Sequence, residues 1–122
     1  MIALLAVSVL VGTWTCTSPD APRSRFVYTF ARNGTGSFAQ VEPAALRSSK
    51  AEHFTYSVSE RGVFMQSPGA APVMKNIVVH GNVLEEQGYF YQNADGEWLV
   101  PSNWNRYRCS RAIEGERRRQ TR

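Results

Sequence analysis

The chain has 122 residues, which suits one domain around a single hydrophobic core. Apolar residues make up 43% of it and aromatic residues 11%, and this composition excludes a disordered protein. The formal net charge is +4, but residues 114–122 carry four arginines against two glutamates and so supply half of that excess. The small net positive charge of the rest of the chain argues against a nucleic-acid-binding protein. We predict that residues 113–122 form a basic, flexible, solvated tail.

Residues 1–12 form an uncharged and almost wholly apolar start. Its length suits the core of a signal peptide and is too short to span a bilayer. No Lys or Arg precedes it, no clear small-x-small cleavage site follows, and Trp14-Thr15 before Cys16 fits a lipid-attachment site badly. Two interpretations stay open: the remnant of an export signal, which we favour slightly, or an apolar segment that plugs or leads into the fold. Membrane association is expected only if the chain is lipidated or keeps this apolar start.

From residue 13 onwards the sequence is typical of short strands separated by tight turns. Phe26, Tyr28 and Phe30 alternate with smaller residues, and Asn33-Gly34 then gives a strong hairpin signal. The same pattern repeats along the chain and gives roughly nine or ten strands, with one possible helical turn at residues 43–46. Turns between sequence neighbours favour an up-and-down meander. We therefore predict an all-β fold in which residues 13–112 form an antiparallel meander closed into a small β-barrel of about 8 strands.

The two cysteines, Cys16 and Cys109, lie in the first and last predicted strands. If these strands pair antiparallel with the cysteines opposite each other, Trp14 falls opposite Arg111, because residues two apart share a face. The cysteines are then either a disulfide, which we favour, or two buried free thiols. A disulfide closing so long a loop is worth roughly 4–5 kcal/mol in the loop-entropy model. It agrees with an exported protein, periplasmic or secreted.

The segment Leu10-Val11-Gly12-Thr13-Trp14, ahead of a meander, resembles the Gly-x-Trp opening of the lipocalins and the wider calycin group. In that family the tryptophan sits at the closed end of the barrel, and an arginine near the last strand packs across its indole ring. The resemblance implies these structural roles for Gly12, Trp14 and Arg111. Residues 30–37, 54–58 and 79–84 also resemble small bacterial lipocalin-like domains. The chain is short for a lipocalin and lacks the Thr-Asp-Tyr motif of that family, so no ligand-binding residues carry over.

Aromatic residues along the predicted strands are candidates for the inner wall of the barrel. An eight-stranded barrel either fills with side chains or holds one small ligand, and for so short a chain we expect filling slightly more than a sizeable cavity. If there is a cavity, tyrosines in an apolar wall would suit a small apolar or amphipathic molecule, with hydroxyl groups fixing its orientation. The candidates are Phe26, Tyr28, Phe30, Phe54, Tyr56, Tyr89, Tyr91 and Trp98.

Catalytic and metal-binding patterns are weak. His53 and His80 are expected to be solvated, and they form no spaced metal set with the cysteines. Glu85 and Glu86 point to opposite faces of a strand and so cannot share a proton. We therefore expect a ligand-binding protein, not an enzyme, with no catalytic residues, no metal site and no cofactor.

The alternative is a periplasmic protein-binding module, such as an inhibitor of a protease or lysozyme. Its protein partner would be held by loops 67–72 and 101–105, the second of which carries Trp104.

Overall fold

The computed structural model describes residues 7–42, 51–101 and 106–111. The predicted helical turn at 43–46, the loop residue Trp104 and the predicted tail 113–122 lie outside the described residues. Within the described ranges, no helix is long and apolar enough to cross a membrane.

The described residues form one short helix and nine strands. In chain order these are α1 (Val7–Leu10), β1 (Gly12–Ser18), β2 (Ala21–Phe30), β3 (Thr35–Glu42), β4 (Glu52–Ser59), β5 (Gly62–Gln66), β6 (Val73–His80), β7 (Val83–Gln92), β8 (Trp98–Leu99) and β9 (Arg108–Arg111).

The strands close into an eight-stranded antiparallel up-and-down barrel, as the sequence predicts. Each strand from β1 to β7 pairs with its neighbour in sequence, and β9 pairs with both β7 and β1. The ninth strand, β8, lies outside this ring and pairs with the end of β7. Closure satisfies the backbone groups that an open sheet would leave at its edges.

The seam between β1 and β9 has the predicted register. Cys16 lies opposite Cys109, and Trp14 lies opposite Arg111. The two cysteines are joined in a disulfide across a sequence separation of 93 residues. The seam therefore links the first and last strands of the barrel both covalently and through backbone hydrogen bonds.

Helix α1 covers the end of the barrel beside Trp14. Leu10 is completely buried, and its carbonyl oxygen accepts a hydrogen bond of 2.9 Å from the indole Nε1 of Trp14. The guanidinium of Arg111 lies 4.4 Å from the centre of the indole ring and donates a hydrogen bond to the carbonyl oxygen of Val9. This cation–π contact and the two hydrogen bonds hold α1 against the barrel.

A β-bulge in β7 determines which of its side chains point inwards. Ile77 pairs with Glu86, but its neighbour Asn76 pairs with Gly88, so that Gln87 is an extra residue without a partner on β6. Inward-facing positions on β7 are therefore even-numbered before the bulge and odd-numbered after it. The bulge thus allows Glu86 and the residue three positions later, Tyr89, to face the same interior.

Candidate functional site: a half-filled barrel with a buried ion pair

The end of the barrel near α1 is filled by aromatic side chains, whereas the opposite half holds a cavity of about 440 Å³. In the filled end, the ring of Phe30 lies 5.7 Å from that of Phe54 and 5.2 Å from that of Tyr56, both in edge-on contact. The expectation of a filled interior therefore holds for one half of the barrel only.

The cavity has an aromatic wall. The ring of Phe26 lies 4.9 Å from those of Tyr28 and Phe38 and 4.4 Å from that of Tyr107. All four of these residues line the cavity. Such a wall offers apolar contact area in fixed positions, because rings packed against each other have little freedom to turn.

The cavity runs from the barrel core to solvent. Its lining includes the buried side chain of Met65 and the exposed residues Glu52, Ala70 and Ala71. The last two belong to the loop 67–72, which the sequence singles out as a possible partner-binding loop. That loop borders the mouth of the cavity, so a ligand has a route from water to the interior.

Three polar side chains meet deep in the cavity, and we call them the polar triad: Tyr28, Lys75 and Glu86. The Lys75 Nζ lies 2.9 Å from Glu86 Oε1 and also donates a hydrogen bond to Tyr28 Oη. The side chains of Lys75 and Glu86 are only 9% and 2% exposed, so this is a buried ion pair. The ammonium also lies 4.8 Å from the ring centre of Tyr28 and 5.4 Å from that of Tyr89.

Burial and mutual contact fix the charges of the polar triad. Burial raises the pKa of Tyr28 to about 12, with Lys75 opposing the shift and Glu86 adding to it. Burial alone would lower the pKa of Lys75, but the Tyr28 oxygen and the Glu86 carboxylate outweigh it and raise this pKa above its usual value. At neutral pH, Lys75 is therefore an ammonium ion and Tyr28 an uncharged phenol. Together with the Glu86 carboxylate they form a group of zero net charge.

Four of the aromatic residues predicted for the inner wall line the cavity: Phe26, Tyr28, Phe54 and Tyr89. Phe30 and Tyr56 are buried in the filled end instead, where the Tyr56 hydroxyl donates a hydrogen bond to the Ala31 carbonyl. The predicted set therefore divides between the filled end and the cavity wall.

Two other predicted wall residues do not line the cavity. Tyr91 occupies an inward-facing position of β7 opposite Val73 and is half-buried, but it is not among the described side chains that line the cavity. Trp98 packs against Phe64, with ring centres 6.1 Å apart. The two neighbours of Phe64 in β5 are buried, so alternation places Phe64 and Trp98 on the outer face of the barrel. Trp98 therefore covers the outside of the sheet and does not line the cavity.

Sequence reasoning missed Phe38 and Tyr107 of the aromatic wall, and it missed Lys75 and Glu86 of the polar triad. The signal was present, because alternation along 73–80 places Lys75 on the same face as Val73 and Ile77. A lysine in the middle of an apolar face indicates either an error in the predicted register or a buried partner. Glu86, two residues after the buried Leu84, was the available partner.

The remaining predicted positions have simple locations. His53 and His80 are exposed, as expected for solvated histidines. Among the described residues, no group of three or more His, Cys, Asp or Glu side chains is placed to hold a metal ion. Of the loop 101–105 only Pro101 is described, and it lines the cavity.

The cavity therefore offers an aromatic wall, a neutral polar group at its base and an opening to solvent. This arrangement suits a molecule with an apolar body and one polar end. Comparison of the chain with protein-family models, with curated proteins and with solved structures finds no match.

Proposed function

We propose that this protein is an exported, lipocalin-like barrel that binds a small amphipathic molecule in its interior. The observation that carries the proposal is the cavity of about 440 Å³, with its aromatic wall, its polar triad and its opening to solvent. Its volume lies within the range of roughly 300–1,000 Å³ that is usual for small-molecule sites.

The closed end of the barrel supports the lipocalin-like part of the proposal. Gly12 and Trp14 lie at the start of β1, and Arg111 from the last strand stacks on the indole ring at 4.4 Å. This is the arrangement that the resemblance implies. The disulfide between Cys16 and Cys109 supports export, since such bonds persist in the periplasm and outside the cell.

The two parts of the cavity would act differently on a ligand. Rings such as Phe26 and Phe38 contribute apolar burial, at about 25 cal/mol for each Å² of ligand surface removed from water. The polar triad fixes the orientation of the ligand. A ligand that left the hydrogen-bonding groups of the triad unpaired would bind more weakly, because those groups would lose water without gaining a partner. A ligand would therefore enter with its polar end towards Lys75 and its apolar body against the rings.

A fluorescence titration tests the proposal. N-phenylnaphthylamine, which brightens in apolar surroundings, should give a saturable signal with the wild-type protein. Val73 lines the cavity, so Val73→Trp should fill part of it and weaken probe binding by about tenfold or more, which corresponds to about 1.4 kcal/mol. Val7→Trp is the matched control, because Val7 is 37% exposed on α1 at the opposite end. A wild-type protein without a saturable signal, or equal weakening by both variants, would overturn the proposal.

A further inference from the structure

We propose that the cavity selects molecules whose polar end is an uncharged hydrogen-bond acceptor, and that Glu86 sets this preference by neutralising Lys75. This inference rests on the proposed function, because it concerns the ligand of the same cavity. It follows from the charges and from the hydrogen-bond donors of the polar triad.

The charges disfavour ionic ligands. Among the described residues, three charged ones line the cavity: Lys75 and Glu86, which neutralise each other, and Glu52, which is exposed at the mouth. A ligand carboxylate near the triad would add a buried negative charge beside Glu86, while Lys75 is already paired. A ligand ammonium would meet the ammonium of Lys75 instead. Either ion would lose its water without gaining a free counter-ion from the described residues of the wall, which is costly in a dry interior.

The hydrogen-bond donors of the polar triad favour a ligand whose polar end is an acceptor. An ammonium group has three N–H donors, and Lys75 directs one to Glu86 and one to Tyr28. Because Tyr28 Oη accepts from Lys75, its own O–H is free to donate to another group. Among the described residues, these contacts leave one N–H and one O–H for a ligand. A carbonyl or ester oxygen can accept both.

The chemistry of Lys75 makes this binding reversible. Its raised pKa keeps it as an ammonium, which has no lone pair to attack a carbonyl carbon. The tyrosine rings at 4.8 Å and 5.4 Å further stabilise the cation. An aldehyde or ketone would therefore be held by hydrogen bonds without forming a Schiff base, and an ester without aminolysis.

Substitution of Glu86 by Gln tests the role of its charge, because the two side chains have nearly the same shape. Glu86→Gln keeps an oxygen that can accept a hydrogen bond from Lys75 but removes the negative charge, which leaves the ammonium free to pair with an anionic ligand. Glu85→Gln is the matched control. Glu85 is the neighbouring residue, 37% exposed, and its carboxylate lies 3.7 Å from Arg108.

The experiment uses three competitors with the same ten-carbon chain: methyl decanoate, decanoate and decylamine. Each displaces N-phenylnaphthylamine from the protein at neutral pH. In the wild type, the ester should compete at least about tenfold better than either ion. Any apolar pocket prefers the ester to some extent, so the decisive result is the change of preference. Glu86→Gln should shift the ratio of decanoate to ester affinity by about tenfold or more towards decanoate, whereas Glu85→Gln should leave it at the wild-type value.

The outcomes separate the inference from the proposed function. If N-phenylnaphthylamine binds neither the wild type nor the variants, the proposed function is overturned. A probe that binds, with competitor ratios equal in Glu86→Gln and wild type, overturns the inference alone. If Glu86→Gln does not fold, Tyr28→Phe tests the acceptor directly, because it keeps both charges and removes one donor. It should weaken methyl decanoate by about fivefold, and an unchanged ester affinity would overturn the inference.

Discussion

The buried ion pair should make the protein far more sensitive to the loss of one partner than to the loss of both. The Lys75 Nζ and Glu86 Oε1 atoms are 2.9 Å apart. With an effective dielectric constant of about 20, their attraction is about 6 kcal/mol. Removing the two groups from water costs several kcal/mol for each ion, so attraction and desolvation nearly cancel. Lys75→Met removes the attraction but leaves Glu86 buried, and we expect it to lower the free energy of unfolding by about 3–5 kcal/mol.

Urea denaturation without reductant measures this cost with the disulfide intact. The double variant Lys75→Met with Glu86→Leu should have a free energy of unfolding within about 1 kcal/mol of the wild-type value, because neither charge is then buried. The two changes would therefore be strongly coupled in a double-mutant cycle.

Two results would contradict a buried and mutually dependent ion pair. One is a loss of less than about 1 kcal/mol in Lys75→Met, which is the range of an exposed ion pair. The other is a loss of unfolding free energy in the double variant that equals the losses of Lys75→Met and Glu86→Leu added together. Either result would mean that water reaches Lys75 and Glu86 freely, and the charge balance could not then select the ligand.

Three further predictions concern the barrel. Cys16→Ser combined with Cys109→Ser should lower the free energy of unfolding by roughly 4–5 kcal/mol in urea, and a loss below about 1 kcal/mol would contradict a stabilising seam. Gly36→Ala should cost about 1–3 kcal/mol in the same assay, because a methyl group there overlaps the ring of Phe54; wild-type stability would contradict that packing. Stability should fall as the pH rises from about 10 to about 12, since the unfolded chain ionises Tyr28 while burial keeps the folded phenol protonated. In Tyr28→Phe, the free energy of unfolding should fall less steeply over this pH range, as measured by denaturation at each pH. A slope equal to that of the wild type would contradict the raised pKa of Tyr28.

The seam was predictable because it rests on alternation over two well-defined strands. Trp14 and Cys16 share a face of β1, and pairing the cysteines leaves one register, with Trp14 opposite Arg111. That register does not depend on the middle of the chain. The closed barrel follows from the tight turns and from this first-to-last pairing.

The candidate site was less predictable because it depends on interruptions of that alternation. The bulge at Gln87 lets both Glu86 and Tyr89 face the interior, and no simple two-residue period shows this. Trp98 belongs to a strand of two residues whose pairing with Gln92 places its ring on the outer face. Whether the barrel is filled or hollow depends on how the rings pack, as between Phe30 and Tyr56, and composition does not determine that.

The most direct test of ligand binding in the barrel is an NMR titration of the ¹⁵N-labelled wild-type protein with methyl decanoate. We predict that the largest amide shifts will fall on cavity residues such as Tyr28, Lys75 and Tyr107 and will saturate with the ligand. Residues of the outer face, such as Phe64 and Trp98, should change little. Shifts confined to that outer face, or no saturable shifts at all, would contradict ligand binding inside the barrel.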